Sequence, residues 1–466
     1  MVNDDGAYFN IINNKNYNFE CLNYSDDEKI IFFSDTLQIY VVKNCMAELL
    51  CNLKKEYEHN NNENENVLRN KRMKNDSNSS KNDELNQIKK IFLHVSHDCN
   101  LNCGYCYAGG GAYGKNKELM SIETAEKTID YVINRFAKVE ELGIEFFGGE
   151  PMLNYKMIGK LINNIEKRYP EVTFSYGCVT NGTIMNEEIY NMYKKYRFHV
   201  MLTIDGPQKY HDKQRIDKEG KGTFDTIVMN LPLFKQSVEK LSVRVVYTKK
   251  NVDLFQIYKY IYEKLEITDI SFRPVMTRSQ EYALDKIDKE FIEKEICKIF
   301  DYYFEKKLQG EQIHTKLFDE IIFHLLNKQQ KTNFCDFGRF VSITPNGNIY
   351  PCTHFVYNED YNMGNIYKTT INQKIMNLCI KSSVPDYSPC NNCWVVGLCG
   401  GGCKGSAIFY EHSLFSNDEF CDVRKRLISH VIVKIVQLYK KGEIEKFEDV
   451  LVLQKSEGEV SPNRWR

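Results

Sequence analysis

Residues 91–107 read IFLHVSHDCNLNCGYCY, and this stretch decides the fold. A strand-like apolar run leads directly into three cysteines, Cys99, Cys103 and Cys106, whose spacing is C-x3-C-x2-C. Three thiolates on one short loop can hold three irons of a four-iron cluster, so that one iron stays open for another ligand. An open iron is a reaction site, and the loop therefore predicts an enzyme.

A zinc loop is the alternative interpretation of these cysteines. Zinc sites usually combine C-x2-C pairs and close with four nitrogen or sulfur ligands. Here the spacing is unequal and no fourth cysteine is near, although His94 or His97 could complete a site. The pattern therefore favours an iron–sulfur cluster.

The composition limits the kinds of protein that this chain can be. A length of 466 residues allows about two to four domains. The 62 basic and 63 acidic residues give no electrostatic case for a nucleic-acid partner. No apolar run is long enough for a membrane span, and the first residues, MVNDDG, are too polar for a secretory signal. We therefore expect the 16 cysteines to be reduced thiols and cluster ligands in the cytoplasm.

Strand-like and helical segments alternate from residue 91 to residue 275. Six repeated β-α units predict a parallel sheet that forms a partial (β/α)6 barrel of the TIM type, with its site at the carboxyl ends of the strands. The cysteine loop falls at that edge because it follows the first strand. The predicted strands are Ile91–Val95, Gly143–Phe147, Thr173–Val179, His199–Ile204, Leu241–Tyr247 and Ile270–Val275. The predicted helices are one capped by Ser121 with Ala125, Ile129, Val132 and Phe136 on one face, then Tyr155–Lys167, Glu187–Tyr196 and Phe224–Phe234.

Residues 1–58 predict a small, separate α+β unit. Its apolar runs, Tyr8–Ile12, Ile30–Phe33 and Leu37–Val42, predict strands, and helical spacing from Met46 to Tyr57 predicts one helix. Residues 59–87 consist mostly of Asn, Lys, Glu and Ser. Such a composition cannot bury enough apolar surface to order itself, so we expect a linker.

A second cysteine group occupies residues 335–421. Its spacing is C-x11-G-x4-C, then C-x2-C-x5-C-x3-C, then a last cysteine, with glycines at 397 and 400–402 that let the backbone wrap closely. Two four-iron clusters need eight ligands, and seven cysteines therefore predict a second open iron. Sites that only stabilise a small domain are the alternative. The seven are Cys335, Cys352, Cys390, Cys393, Cys399, Cys403 and Cys421.

Together these motifs resemble radical S-adenosylmethionine (SAM) enzymes with a C-terminal SPASM domain. The first loop matches the superfamily motif, including Tyr105 before the third cysteine, and the seven later cysteines match the SPASM pattern. The resemblance implies a radical SAM barrel over 88–315, a SPASM domain over 316–425 and a helical tail over 426–466. It also implies SAM and three 4Fe-4S clusters, one that binds SAM and two auxiliary ones.

Several strand ends match the same superfamily. By resemblance, FGGEP at 147–151 meets the cofactor's amino group, Thr203 in TIDGP faces its ribose, and Arg215 pairs with its carboxylate. An electron carrier would not need such residues, so they favour an enzyme over a non-enzymatic iron–sulfur carrier. No side chain stands out as a catalytic base. The implied SAM-binding residues are Tyr105, Gly148, Gly149, Glu150, Thr180, Asn181, Thr203 and Arg215.

In that superfamily the open iron chelates SAM, and one electron cleaves its carbon–sulfur bond. The resulting 5′-deoxyadenosyl radical abstracts hydrogen from the substrate. The cofactor thus supplies the difficult chemistry, while the protein supplies position and a dry site.

Within the superfamily, the chain most resembles the thioether-forming maturases of cysteine-rich peptides, the ranthipeptide or SCIFF group. HVSHDCNL at 94–101 and AGGG at 108–111 are similar to that group. Anaerobic sulfatase maturases are the alternative; they commonly carry an extra cysteine where the interval from Cys335 to Cys352 has none. By resemblance, one auxiliary cluster with an open iron for a substrate thiolate would use Cys335, Cys352 and Cys403, and the other Cys390, Cys393, Cys399 and Cys421.

The resemblance also implies partners. One is a precursor peptide whose leader sequence pairs as an added strand with residues 1–58, which would be a winged-helix-like recognition unit. The other is a reductant such as flavodoxin or ferredoxin.

Overall fold

The computed structural model describes residues 19–60, 88–135, 139–368, 371–383, 387–416 and 419–443. The predicted strand Tyr8–Ile12, the helical residue Phe136 and nearly all of the predicted linker lie outside these ranges. The predicted helical tail is described as far as residue 443.

Six parallel strands, each followed by at least one helix, form the partial barrel that the sequence predicts. They are hydrogen-bonded in chain order from β4 to β9. The strands are β4 Lys90–Ser96, β5 Glu141–Gly148, β6 Thr173–Thr180, β7 His199–Thr203, β8 Lys240–Tyr247 and β9 Ile270–Pro274. The helices that follow them are Ile122–Arg135, Tyr155–Arg168, Glu187–Lys195, Gln208–His211 with Phe224–Ser237, Leu254–Glu263 and Lys286–Leu308.

The spacing of apolar residues, every second residue in strands and every third or fourth in helices, explains why these elements form. Alternate residues of β4, Ile91, Leu93 and Val95, are fully buried against the helices. Each such side chain stabilises the fold by about 1.5–3 kcal/mol. The residues between them face the barrel interior. Ser121 caps the first helix as predicted, since its hydroxyl accepts a hydrogen bond from the Thr124 N–H at 3.1 Å.

The sheet continues past the barrel into the second cysteine region. Strand β10, Phe340–Ile343, pairs parallel with β4, and β11, Asn348–Tyr350, and β12, Gly364–Asn365, follow it. The nine-stranded order is β12-β11-β10-β4-β5-β6-β7-β8-β9. The sequence places the second cysteine group in a separate domain. The structure shows that β10, which lies between Cys335 and Cys352, is hydrogen-bonded directly to the first barrel strand.

A long helix, Cys421–Lys441, begins at the last cysteine and runs across residue 425, where the sequence places a domain boundary. Its buried face includes Leu427, Val431 and Ile435. Lys434 and His430 of this helix contact Asp301 on Lys286–Leu308 at 3.0 and 2.8 Å. The cysteine region and the tail therefore share one element.

The N-terminal unit consists of three antiparallel strands and one helix within the described residues. They are β1 Phe19–Asn23, β2 Glu28–Phe33, β3 Gln38–Lys43 and the helix Asn44–Asn60. The sequence analysis missed β1, and the winged-helix assignment stays a prediction. The unit has its own small core, but Phe32 packs edge-on against Trp394 with ring centroids 6.1 Å apart. It is therefore packed against the second cysteine region.

In the described part of the chain, no helix has the length and apolarity needed to cross a bilayer.

Candidate functional site

The loop that carries the first three cysteines is clamped by the end of the neighbouring strand. Gly149 N–H donates to Ser96 O at 2.8 Å, and Glu150 N–H donates to Asp98 O at 2.9 Å. A Cβ on Gly149 would lie 2.3 Å from Asp98 O. Gly148 has a φ of +136°, and a Cβ there would lie 2.0 Å from Ser96 O. Both glycines are therefore required by the close approach of two backbones.

The three cysteines lie close enough to influence one another's ionisation. Burial, and next the charge of Glu150, raise the pKa of the Cys99 thiol to about 12, with smaller contributions from Cys103 and Cys106. Leu101 N–H points at Cys99 Sγ at 3.4 Å. A buried thiol group of this kind becomes a thiolate set only when positive charge compensates it. An iron–sulfur cluster supplies that charge, so the donor set fits the group that the motif implies.

Of the two histidines that could complete a zinc site, His97 has partners at both ring nitrogens, whereas His94 Nε2 is buried without a hydrogen-bond partner among the described residues. His97 Nδ1 lies 3.1 Å from the Tyr357 hydroxyl, and His97 Nε2 lies 3.3 Å from His94 Nδ1. Both ring nitrogens of His97 are thus occupied. Among the described residues, no three Cys, His, Asp or Glu side chains converge on a single-ion position. His97 is therefore not free to complete a zinc site.

Glu150 ties the ends of β5 and β6 together. It is fully buried, and its carboxylate accepts from Met152 N–H at 3.0 Å, Thr180 Oγ1 at 2.7 Å and Asn181 N–H at 2.8 Å. Burial raises the pKa of Glu150, while these hydrogen bonds oppose the shift. Asn181 then extends the network, because its amide donates to Asn100 Oδ1 at 2.9 Å in the cysteine loop.

Arg215 reaches the same loop from the segment that follows the short helix Gln208–His211. Its Nη1 donates to the Tyr105 hydroxyl at 2.8 Å, and that hydroxyl donates to Asp205 Oδ2 at 2.6 Å. The Nε of Arg215 is buried and has no hydrogen-bond partner among the described residues. A buried guanidinium donor without a partner fits the carboxylate of SAM, the ligand that the resemblance implies. Thr203 lies at the end of β7 and is 9% exposed.

Asp205 lies within TIDGP, and the sequence alone assigned it no role. It is fully buried and also accepts from Val246 N–H at 2.9 Å and Gln214 Nε2 at 3.2 Å. It therefore holds Tyr105 and thereby Arg215. The signal that could have revealed it is an acidic residue directly after an apolar strand, at the edge where the site lies.

The seven later cysteines fall into two groups. Burial, and next Cys403, raise the pKa values of Cys335 and Cys352 to about 12, so these three lie together. Burial raises the pKa of Cys390 to about 11, with contributions from the other members of its group. A pocket is lined by that second group, Cys390, Cys393, Cys399 and Cys421.

The first of these groups faces the same interior space as the first cysteine loop. Tyr107 is 41% exposed, yet surrounding protein raises the pKa of its hydroxyl to about 12, with smaller effects from Cys352 and Cys106. Its ring lies 4.9 Å from that of His354, which is also exposed. Both side chains are therefore accessible although protein surrounds them. We call the space that they border, between the first loop and the group of Cys335, Cys352 and Cys403, the chamber.

Comparison with known proteins agrees with this geometry. Residues 93–260 match the model of the Radical SAM superfamily, and residues 335–394 match that of an iron–sulfur cluster-binding domain, SPASM. A cysteine-type anaerobic sulfatase-maturating enzyme of Clostridium novyi is 27% identical over 76% of this chain and 98% of its own length.

Two solved structures share the fold. Native anSMEcpe with bound AdoMet and Cp18Cys peptide is 23% identical with a TM-score of 0.66, over 76% of this chain and 99% of that one. SuiB of Streptococcus suis bound to its precursor peptide SuiA is 15% identical with a TM-score of 0.50, over 87% and 98%.

Fold and cysteine groups thus define a partial-barrel iron–sulfur protein. With the two domain matches, the chain combines a radical SAM domain with a SPASM domain.

Proposed function

We propose that this enzyme installs thioether crosslinks, from cysteine sulfur to carbon, in a ribosomally made cysteine-rich peptide. The observation that carries the proposal is the group of Cys335, Cys352 and Cys403, which face the chamber beside Tyr107. Three thiolates leave one iron of a four-iron cluster without a protein ligand, and a substrate thiolate is the soft ligand suited to it.

The residues of this chain then divide the work. Cys99, Cys103 and Cys106 would hold the SAM-binding cluster. Arg215 would take the carboxylate of SAM, since its Nε is otherwise unpaired among the described residues, and the backbone beside Glu150 would meet the amino group. When bound, SAM and the reduced cluster supply the radical that removes hydrogen from the substrate. The chamber walls position the peptide and keep bulk water from the reacting atoms.

The proposal includes three 4Fe-4S clusters. The third would be held by Cys390, Cys393, Cys399 and Cys421, which line a pocket together with Arg424 and Lys425. Arg424 Nη2 lies 3.5 Å from Cys421 Sγ. A cluster in an open pocket edged by two cations suits an acidic electron donor, and a flavodoxin or ferredoxin is the reductant that we propose.

The N-terminal sheet is the proposed site for the leader sequence. Its order, β1-β2-β3, leaves both outer strands as edges within the described residues. An extended leader segment could pair with either edge through its main chain. Because Phe32 of this sheet packs on Trp394, a bound leader would be held at a fixed distance from the second cysteine region.

Formylglycine formation on a sulfatase is the second candidate. It is favoured by relatives such as that of C. novyi, a cysteine-type anaerobic sulfatase-maturating enzyme. The cysteine-free interval from residue 336 to residue 351 argues for the thioether, because it leaves the first auxiliary group with three cysteines.

The test uses the full chain, loaded anaerobically with iron and sulfide. We expect about twelve irons per chain, from three four-iron clusters, and 5′-deoxyadenosine after addition of SAM and dithionite. Cys103→Ala should abolish that product. A cysteine-rich peptide encoded beside this gene should then lose two hydrogens per crosslink by mass spectrometry. Replacement of a cysteine sulfur by oxygen in a sulfatase peptide would instead establish formylglycine formation, and full iron loading without SAM cleavage would refute both.

A further inference from the structure

Two arginines face the chamber from neighbouring strands. Arg244 lies on β8 and Arg273 on β9, and the register pairs Arg244 with Ser271 and Val246 with Arg273. Their strand neighbours Val243 and Val245 are fully buried on the helix side, and Phe272 stacks on Tyr258 there. Side chains alternate along a strand, so both guanidinium groups point into the barrel.

Among the described residues neither guanidinium forms an ion pair, although the charge of Glu145 reaches Arg244 from a longer distance. Arg244 Nε is buried without a hydrogen-bond partner. Burial, and next the charge of Arg273, lower the pKa of Arg244, which shows that the two cations lie close together. Nearby carboxylates are already used: Glu145 pairs with Lys90 at 2.9 Å, and Glu320 accepts from Lys331 at 2.5 Å.

The arginine pair lies at the edge of the sheet where the site is. The register sets Arg244 beside Thr203 at the carboxyl end of β7. Strand β10, which lies between Cys335 and Cys352, belongs to the same sheet through its pairing with β4. Arg215, by contrast, acts on Cys103 and Tyr105 at the first loop. The pair is thus distinct from the residue proposed for the carboxylate of SAM.

We infer that Arg244 and Arg273 form a binding site for a carboxylate of the peptide substrate, next to the position where its cysteine is held. This inference rests on the proposed function and names a specificity element of its site. Two guanidinium forks that converge in a partly dry space need an anion, and a carboxylate matches their planar, bidentate donors. An aspartate or glutamate side chain near the reacting cysteine would thereby fix the register of the peptide in the chamber.

The test measures binding to the cluster-loaded full chain with SAM present, by anaerobic calorimetry. The probes are two N-acetylated, amidated pentapeptides that contain one cysteine and either aspartate or asparagine. We expect the aspartate peptide to bind about tenfold more tightly, a difference of about 1.4 kcal/mol. A third probe, the asparagine peptide with a free carboxyl terminus, tells a side-chain carboxylate from a terminal one.

Arg273→Gln and Arg244→Gln should each reduce the preference to under about threefold and leave the affinity for SAM unchanged. Arg273 is exposed to the chamber, so its variant should fold even if the Arg244 variant does not. Arg197→Gln is the matched control, because Arg197 is an exposed arginine paired with Glu239 before β7. Equal binding of both amidated peptides and the free-terminus peptide, or a preference retained in both variants, would overturn the inference. Crosslinking is scored separately by mass, so a bound aspartate peptide that is never crosslinked counts only against the proposed function.

Discussion

The substitution Glu150→Gln tests how the strand ends hold the first cysteine loop. In the structure both carboxylate oxygens accept hydrogen bonds, Oε1 from Met152 and Thr180 and Oε2 from Asn181. A glutamine has one acceptor oxygen. If that oxygen replaces Oε1, its NH₂ group faces the N–H of Asn181, and a buried donor loses its partner at a cost of about 1–3 kcal/mol.

The melting temperature should therefore fall by about 2–12 °C, using about 2–4 °C per kcal/mol for a domain of this size. Asn181 also contacts Asn100, so the cysteine loop should loosen and SAM should bind more weakly. The assays are anaerobic thermal unfolding and equilibrium binding of SAM. The control is Glu166→Gln. Glu166 is exposed, and its carboxylate accepts a hydrogen bond from the Tyr176 hydroxyl at 3.1 Å. Wild-type melting and SAM affinity in Glu150→Gln would refute the reasoning.

Three further changes follow from the same contacts. Gly149→Ala places a Cβ against Asp98 O, an overpacking cost of about 1–3 kcal/mol, and should lower both the melting temperature and the retained iron; a wild-type iron count would contradict it. Burial alone would raise the pKa of Asp319, but neighbouring groups, Lys307 among them, hold that pKa below its usual value. The stability that Asp319 contributes is therefore present above its pKa in the unfolded chain and is lost as the pH falls through its pKa in the folded protein. Asp319→Asn should flatten the acid limb of a curve of stability against pH, and an unchanged limb would refute this. Cys403→Ala should remove about four of about twelve irons while 5′-deoxyadenosine still forms, and full iron retention would exclude that cysteine as a ligand.

The sequence predicted the barrel because its strands obey a strict pattern. In β4, the apolar residues Ile91, Leu93 and Val95 occupy alternate positions on the helix side, and turn residues follow. The spacing of Cys99, Cys103 and Cys106 predicted the position of the site for a similar reason, because it too is a pattern within one short segment. Strand β1 was missed, because FECLN carries polar residues at both its second and last positions and so lacks a clear period.

Two features depended on contacts that a linear pattern does not carry. The pairing of β10 with β4 joins residues about 250 positions apart in sequence, and only the folded chain brings them together. Likewise, Arg244 and Arg273 each resemble a solvated strand residue when read alone. Their significance comes from adjacency across two strands that both face the interior.

The pairing of β10 with β4 has a consequence for how substrate reaches the chamber. The first cysteine loop follows β4, and Cys335 precedes the neighbouring strand β10. Backbone hydrogen bonds between these two strands therefore set the distance between the two cysteine groups. A hinge between the two halves would have to break a continuous sheet, which makes a clamshell opening costly. The peptide that we propose as substrate would therefore have to be threaded into a preset gap, and the spacing along it between leader and reacting cysteine would act as a molecular ruler.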